Sequence, residues 1–460
     1  MKTEDLQDAL GYVEEKLIEE VDALRLKDAG LNGTSKRSKK RAKGWYKWVA
    51  AAAVLCVIVV SVWRLPINSS AEDLMQGIVP QKVEPLEEMT AQNAAVTDFG
   101  IRLLQATLEE GENTLLSPLS VVSALAMTAN GAEGETREQM EQVLGLTVEE
   151  LNAYMYTYML KLPDEKFGQL QLANSIWFSD AETFQVEQDF LQTNADYYGA
   201  DIYKRKFDKS AAEEINEWVA EKTDEMIPQM VDEISKETVM YLVNALAFEA
   251  DWNIPYEEYQ VREGTFTMES GAEKPVELMY GEEHNYLEDE LATGFVKYYE
   301  GNRYAFVALL PKEEVSVAEY VNSLSGENVQ NLLNNASKEL VKTAIPKFET
   351  EYDAQLAQVL ADMGMPDAFD IYNADFSGLG RDTRPDWNIY ISKVLHKTYI
   401  EVGEKGTRAG AVTAVGVDVG GAAGPTEEPK EVILDRPFVY MIIDTSNHLP
   451  FFIGTLMDVE

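Results

Sequence analysis

Residues 404–425 constrain the possible folds of this chain more than any other stretch. They read EKGTRAGAVTAVGVDVGGAAGP, and 409–417 contains only Ala, Gly, Val and Thr. Gly and Ala suit an exposed loop. Thr and Val suit a pleated strand, and no proline blocks ladder hydrogen bonds before Pro425. The residues alone leave a loop and a strand both open. Without further information they favour an ordinary surface hairpin.

A strand at this position would have two dissimilar faces, because side chains alternate with a period of two. One face is small and uncharged and therefore suited to burial: Thr407, Ala409, Ala411, Thr413, Val415, Val417 and Val419. The other carries both ionisable residues and is expected to face water: Arg408, Gly410, Val412, Ala414, Gly416 and Asp418.

An apolar segment near the N-terminus predicts a membrane anchor. Seven Lys or Arg residues between 36 and 47 precede residues 48–63, which carry no charge and have a tryptophan at each end. Together with the flanking residues, the run approaches the length of a bilayer span, and its tryptophans are typical of an interfacial belt. A cleavable signal peptide is the less favoured alternative, because the leader is long and no Ala-x-Ala site follows Trp63.

The basic cluster predicts the orientation of this anchor, since Lys and Arg stay on the cytoplasmic side. We expect a cytoplasmic segment at 1–44, a transmembrane signal anchor at 45–65, a linker at 66–90 and an extracellular domain at 91–460. The linker prediction rests on Pro66, Pro80 and Pro85 among polar residues. The protein is therefore expected in the cell membrane as a single-pass protein.

Composition excludes several classes of function. The 460 residues are 45% apolar and carry a net charge of −41, which argues against a nucleic-acid partner. Cys56 is the only cysteine, so no intramolecular disulfide can form. The usual hydrolase, nucleotide-binding and metalloprotease motifs are missing. We expect no enzymatic activity, no metal and no cofactor.

Hydrophobic periodicity predicts an α+β domain from residue 91 onward, with helices early and strands late. Residues 118–129 and 184–198 have helical periodicity. Residues 239–248, VMYLVNALAF, are nearly all apolar, as expected for a strand buried on both faces. Another strand is predicted over 340–348.

Eight phrases between 91 and 460 resemble sequence blocks of the serpin family and follow the family's order. They are NTLLSPLSVVSALAM, NGAEGETREQM, INEWVAEKT, LVNALAFEADW, AIPKF, LADMGMPDAF, ADFSGL and the hinge beginning at Glu404. The resemblance implies a serpin fold, with about eight to nine helices around three β-sheets and an exposed reactive-centre loop. It also implies a monomeric serpin domain.

The resemblance also assigns roles to particular residues. It places Ser117, Ser120, Asn244 and His396 in the shutter, a hydrogen-bonded cluster beneath the point where the central sheet opens. It places Trp252, Lys347 and Glu404 in the breach, where the loop first enters that sheet. From the residues alone, the four polar residues of the shutter are buried groups with hydrogen-bond partners. Trp252 is a core residue and Glu404 is a surface charge. The implied hinge comprises Glu404, Gly406, Thr407, Arg408, Ala409, Gly410, Ala411, Val412 and Thr413.

The family's spacing from Glu404 implies a reactive bond at Val419-Gly420 or Gly420-Gly421, with Ala422 and Ala423 as alternatives because the loop is long. All of these residues are small and uncharged, so the expected partner is a serine protease with a small or apolar specificity pocket, elastase-like or subtilisin-like. Arg408 departs from the Glu typical of inhibitory serpins. The implied function is inhibition by suicide-substrate trapping; the alternative is a non-inhibitory serpin-fold binding or structural protein that is cleaved as an ordinary substrate.

Overall fold

The computed structural model describes residues 71–162, 169–180, 183–232, 234, 238–384, 388–407 and 429–459. Within these ranges, no helix combines the length and apolar character needed to cross a bilayer. The predicted anchor at 45–65 and the predicted cytoplasmic segment at 1–44 lie outside them.

Nine α-helices lie within the described ranges, six of them before residue 223. They are α1 (Thr90–Thr107), α2 (Pro118–Ala129), α3 (Gly134–Leu144), α4 (Val148–Lys161), α5 (Gln188–Tyr198), α6 (Lys209–Lys222), α7 (Val317–Ser323), α8 (Gly326–Asn334) and α9 (Ala357–Asp362). Helix α2 shows why the early segments fold as they do. Pro118 occupies its first turn, and the Ser117 side chain caps it by accepting from the Ser120 amide at 3.3 Å.

Nineteen strands occur in the same ranges. They are β1 (Glu72–Asp73), β2 (Thr114–Leu116), β3 (Gln169–Ser179), β4 (Phe184–Val186), β5 (Asp201–Arg205), β6 (Met240–Asp251), β7 (Val261–Thr267), β8 (Glu273–Glu283), β9 (Tyr286–Glu288), β10 (Ala292–Tyr298), β11 (Tyr304–Pro311), β12 (Val341–Pro346), β13 (Phe348–Gln355), β14 (Gly380–Asp382), β15 (Lys393–Val402), β16 (Gly406–Thr407), β17 (Lys430–Ile433), β18 (Phe438–Asp444) and β19 (Leu449–Leu456).

The strands form three large sheets and one two-stranded sheet. The largest has seven strands in the order β1-β5-β3-β6-β16-β15-β13. The second has six, β2-β19-β18-β11-β10-β9, and the third has four, β17-β12-β8-β7. Strands β4 and β14 pair separately. The arrangement of helices and sheets is α+β, as predicted.

The seven-stranded sheet has apolar side chains on both faces, and β6 lies near its centre. Leu242, Leu246 and Phe248 belong to the main core on the inner face. Tyr241, Val243 and Ala245 point the other way and pack with residues of α6, which covers this part of the outer face. The nearly unbroken apolar sequence of β6 follows from burial on both faces.

The described part of the predicted linker, 71–89, is held on the domain. Leu74 N donates to Ile202 O at 2.9 Å beside the β1–β5 pair, and Leu86 N donates to Thr157 Oγ1 at 2.8 Å. Leu74, Leu86, Met75 and Ile78 pack partly buried against the core. The prolines and polar residues of this segment led to the prediction of a linker. The four apolar residues between them attach the segment to the domain.

Candidate functional site

Two neighbouring strands of the largest sheet are paired at one end and separated at the other. Strand β15 runs parallel to β6, with His396 opposite Asn244 and Thr398 opposite Leu246. Beyond this point β16 lies between them, because Thr407 is opposite Ala250 of β6 on one side and Val402 of β15 on the other. The sheet therefore already holds the first two residues of a strand that would continue into the 408–425 run.

The four residues assigned to the shutter lie together where β6 and β15 are still paired. The Ser120 hydroxyl donates to Asn244 Oδ1, and Asn244 Nδ2 donates to the backbone oxygen of Ser120. The Ser117 amide donates to His396 Nε2 at 3.1 Å. Helix α2 thus contacts both strands through its first turn, and separating the strands would require these bonds to change partners.

Three further residues extend this cluster and were not predicted from the sequence. Asn244 Nδ2 donates to Asn174 Oδ1 at 2.5 Å, and Asn174 Nδ2 donates to Ser123 Oγ at 2.7 Å. Thr398 Oγ1 donates to the Leu115 oxygen at 2.7 Å. The available signal was weak: Asn174 and Thr398 are polar positions in the alternating series of β3 and β15 that otherwise hold mostly apolar residues, and a buried polar group there needs a partner.

Burial determines the protonation of His396. Its side chain is fully buried, and this desolvation lowers the pKa of the imidazole to about 3. Because Nε2 accepts the Ser117 amide, the neutral ring carries its proton on Nδ1. Nδ1 has no hydrogen-bond partner among the described residues. The cluster is therefore built around a neutral histidine.

The residues assigned to the breach also lie together, at the end of the sheet where β16 begins. Trp252 is buried, stacks on Tyr299 with ring centroids 4.3 Å apart, and donates from Nε1 to the Gly403 oxygen at 2.9 Å. Lys347 Nζ lies 2.9 Å from Glu404 Oε1 and 2.8 Å from Glu277 Oε2. The hydrogen bond from Lys347 lowers the pKa of Glu404.

Replacing Lys347 with methionine should lower the free energy of unfolding by about 1 kcal/mol or less at low ionic strength, because all three charges are partly exposed. At about 1 M salt most of this loss should disappear, since screening weakens repulsion between Glu277 and Glu404. Urea denaturation at the two salt concentrations measures it, and Lys342→Met, an exposed lysine of β12, is the matched control. A loss that does not change with salt would mean that the lysine acts through its packing.

Three residues of the implied hinge fall within the described ranges: Glu404, which also belongs to the breach, and Gly406 and Thr407, which are both buried. The Thr407 side chain is 1% exposed, and its hydroxyl shares a 2.5 Å hydrogen bond with that of Tyr299. A Cβ at Gly406 would collide with the Ala250 backbone oxygen, so glycine is required for the close pairing with β6. Tyr299 was not predicted, and its sequence position at the end of a strand gave no specific signal.

The rest of the implied hinge and the reactive bond lie outside the described residues. These positions are Arg408, Ala409, Gly410, Ala411, Val412 and Thr413 in the hinge, and Val419, Gly420, Gly421, Ala422 and Ala423 at the bond. Among the described residues, no group of three or more His, Cys, Asp or Glu side chains is arranged to hold a metal ion.

Comparisons with known proteins agree with this geometry. The model of the family "Serpin (serine protease inhibitor)" matches residues 94–459. The thermophilic serpin tengpin in its native state is 46% identical, with a TM-score of 0.80 over 85% of this chain and all of that one. The structure of tengpin in its latent state matches with a TM-score of 0.71 over 83% of this chain and all of that one, at the same identity.

A curated relative from Thermococcus kodakarensis, described as an uncharacterized serpin-like protein, is 31% identical over 402 residues. The match covers 85% of this chain and 92% of the relative. The three sheets and the helices around them are those of serpin structures. Sequence and sheet topology agree, and the chain belongs to the serpin family.

Proposed function

We propose that this protein inhibits serine proteases by suicide-substrate trapping. The observation that carries the proposal is β16: Gly406 and Thr407 already pair with β6, and Thr407 also pairs with β15. Thr407 is buried and uncharged, as the first inward side chain of an inserting strand must be. Strands β6 and β15 pair directly with each other only further along the sheet, where Lys393–Thr398 of β15 lies beside β6.

The register of β16 indicates where further residues would lie if the strand continued. Each further loop residue moves one position back along both β6 and β15. Ala409 would then lie opposite Phe248 and Ile400, while Thr413 would lie opposite Asn244 and His396. Small side chains would meet the inner core, and the hydroxyl of Thr413 would reach the shutter. This supports insertion of 406–419 as a new central strand.

The proposed reaction uses the protease's own chemistry. Its serine attacks the carbonyl of the reactive bond, Val419-Gly420 or Gly420-Gly421, with Ala422 and Ala423 as alternatives. The peptide bond breaks, an ester joins the inhibitor to the serine, and the leaving amine takes the proton. Insertion then moves the esterified protease and distorts it before water can cleave the ester. The native state is kinetically trapped, because insertion occurs only after cleavage.

The proposed target has a small or apolar specificity pocket, since residues 419–423 are all small and uncharged. An elastase-like or subtilisin-like protease fits this chemistry, whereas a trypsin-like pocket would require Arg or Lys. We further propose that residues 45–65 anchor the chain in the cell membrane and that a monomeric serpin domain acts outside the cell.

Incubation of the full chain with an elastase-like protease tests this function. We expect a band at the summed mass that survives boiling in detergent, and a large rise in melting temperature for the chain cleaved within 417–423. The partition ratio, defined as chains cleaved per protease trapped, quantifies the competition between insertion and ester hydrolysis. Cleavage without the band and without the rise would instead favour a non-inhibitory binding or structural protein that is an ordinary substrate.

A further inference from the structure

A buried lysine lies among the aromatic residues of the breach. Lys297 is in β10, and its side chain is 5% exposed. Phe295 and Tyr299, two positions away on either side, are fully buried on the same face of the strand. A charge on such a face needs partners, because burying an uncompensated charge is costly. The lysine is therefore expected to bind several groups at once.

The Lys297 ammonium contacts a carboxylate and three groups of the segment that follows β6. Its Nζ lies 2.8 Å from Glu283 Oε1. It also donates to the Ile254 oxygen at 3.2 Å and lies over two rings, 4.5 Å from the ring centroid of Tyr256 and 5.3 Å from that of Trp252. Cation–π contacts are strongest when the cation is shielded from water, as it is here. The lysine thus binds this segment at three points.

The same segment binds the turn that leads into β16. Two of its backbone amides and one indole N–H donate to three consecutive backbone oxygens: Trp252 N to Lys405 at 2.6 Å, Trp252 Nε1 to Gly403 at 2.9 Å and Tyr256 N to Glu404 at 2.8 Å. These three acceptors directly precede β16, so the bonds fix the position of the turn relative to β6. The rings and the donors belong to the same two residues, and displacing either ring would disturb its hydrogen bonds as well.

We propose that Lys297 is a positioning residue for loop insertion: its ammonium fixes Trp252 and Tyr256, and through them the turn from which β16 starts. This inference rests on the proposed function and adds the group that holds the start of the inserting strand. After cleavage the strand would grow from Thr407, so the residues that are already paired act as its nucleus. If the turn were loose, ordering these residues again would cost conformational entropy. Loss of the cation should therefore slow insertion.

Hydrogen exchange of the full chain, measured by mass spectrometry of peptic peptides, tests the positioning and needs no target protease. Lys297→Met keeps the length of the side chain and removes its charge. Amide exchange in peptides covering 252–256 and 406–407 should become about tenfold faster, as expected from the loss of two water-shielded cation–π contacts. Peptides covering β18 and β19 should exchange at the original rate.

Two results of this measurement would overturn the proposal. Exchange that is faster by the same factor in all peptides would mean that Lys297 contributes only to general stability. Unchanged exchange in the peptide covering 252–256 would mean that the lysine does not hold this segment.

The partition ratio with an elastase-like protease tests the consequence for insertion. Lys297→Met should be cleaved at an undiminished rate, but slower insertion leaves more time for ester hydrolysis. The ratio should therefore rise about five- to tenfold, because part of the lost cation–π energy acts on the turn. A lower melting temperature with an unchanged ratio would assign the lysine a purely structural role and would contradict the proposal.

Two further variants separate the cation from its ion pair. Lys297→Met combined with Glu283→Gln removes the carboxylate that the single variant leaves unpaired, and it should show the same faster exchange and the same raised ratio. Lys274→Met removes a lysine of β8 whose Nζ lies 2.7 Å from Asp458, with the same change in net charge, and should leave both measurements unchanged. Recovery of both values in the double variant would mean that the unpaired Glu283 caused the defect, and the proposal would be wrong.

The outcomes also distinguish this inference from the proposed function. If the unsubstituted chain traps the protease and Lys297→Met traps it equally well, only the role of Lys297 is refuted. If the unsubstituted chain forms no complex and gains no thermal stability on cleavage, the proposed function fails, and the role of Lys297 in insertion fails with it.

Discussion

Replacing Thr407 with arginine should convert the proposed inhibitor into an ordinary protease substrate. The Thr407 side chain is 1% exposed and lies against Tyr299, which stacks on buried Trp252. Because β16 is already paired in the uncleaved chain, the arginine variant should keep residues 406–407 out of the sheet, and insertion would then have to bury the guanidinium in this apolar site without a carboxylate. An uncompensated buried charge costs several kcal/mol. The partition ratio should therefore rise by about a hundredfold or more, because ester hydrolysis overtakes insertion.

Denaturing gels and thermal melting together measure this effect. Chains carrying Thr407→Arg should be cleaved at an undiminished rate, yield no stable complex and show no rise in melting temperature afterwards. Thr407→Ser is the matched control, because it keeps the hydroxyl that bonds to Tyr299 and should trap the protease normally. Full trapping by the arginine variant would show that insertion does not begin at β16.

The stability of the protein should decrease as the pH falls from about 6.5 to 5, and His396 should be a main cause. Burial lowers the pKa of His396 in the folded protein to about 3, whereas the unfolded chain takes up this proton near pH 6.5. Below pH 6.5 the unfolded state therefore binds more protons, and the free energy of unfolding falls by up to about 1.4 kcal/mol per pH unit. The full contribution is present above pH 6.5.

Urea denaturation as a function of pH measures this slope. His396→Gln should be less stable at neutral pH but should lose most of the slope between pH 6.5 and 5. Half-buried His448, whose pKa is also lowered by burial, contributes in the same direction. His448→Gln is therefore the control, and the double variant should be nearly flat in this range. An unchanged slope in His396→Gln would contradict a neutral, buried His396.

Local signals in the sequence predicted the fold class and many elements, because those signals act over a few residues. Pro118 after Ser117 marked the start of α2, and the apolar run of β6 marked a strand buried on both faces. Prediction failed where distant residues decide the structure. Residues 184–198 were expected to be one helix, but Phe184–Val186 forms β4 because it pairs with Gly380–Asp382, almost 200 residues away.

The strand predicted over 340–348 likewise proves to be two strands in different sheets. Strand β12 pairs with β8 and β17, and β13 begins at Phe348 and pairs with β15. Single-strand periodicity cannot show the change of partner at Lys347, which lies between the two strands. This position explains why Lys347 reaches both Glu277 in β8 and Glu404 before β16.

The sequence pointed to several residues that the structure places together, but it did not show the contacts that join them or all of the residues involved. Asn244 and His396 are separated by 152 residues, and only the parallel register of β6 and β15 makes them neighbours. Asn174 and Tyr299 were missed for the same reason. The expectation that the second face of the 407–419 strand meets water concerns residues outside those that the structure describes, and it stays a prediction.

The two outermost strands of the seven-stranded sheet bear on how copies of this protein behave at high concentration. The proposed insertion adds a strand of the chain to its own sheet. An unpaired edge strand can likewise pair with a strand of another molecule. On one side, β1 covers β5 with the two acidic residues Glu72 and Asp73. On the other, β13 presents Glu349, Glu351 and Asp353. A second copy approaching either edge meets these acidic side chains, of which Glu351 and Asp353 are paired with Lys397, so we expect edge-to-edge association to be weakest at low ionic strength.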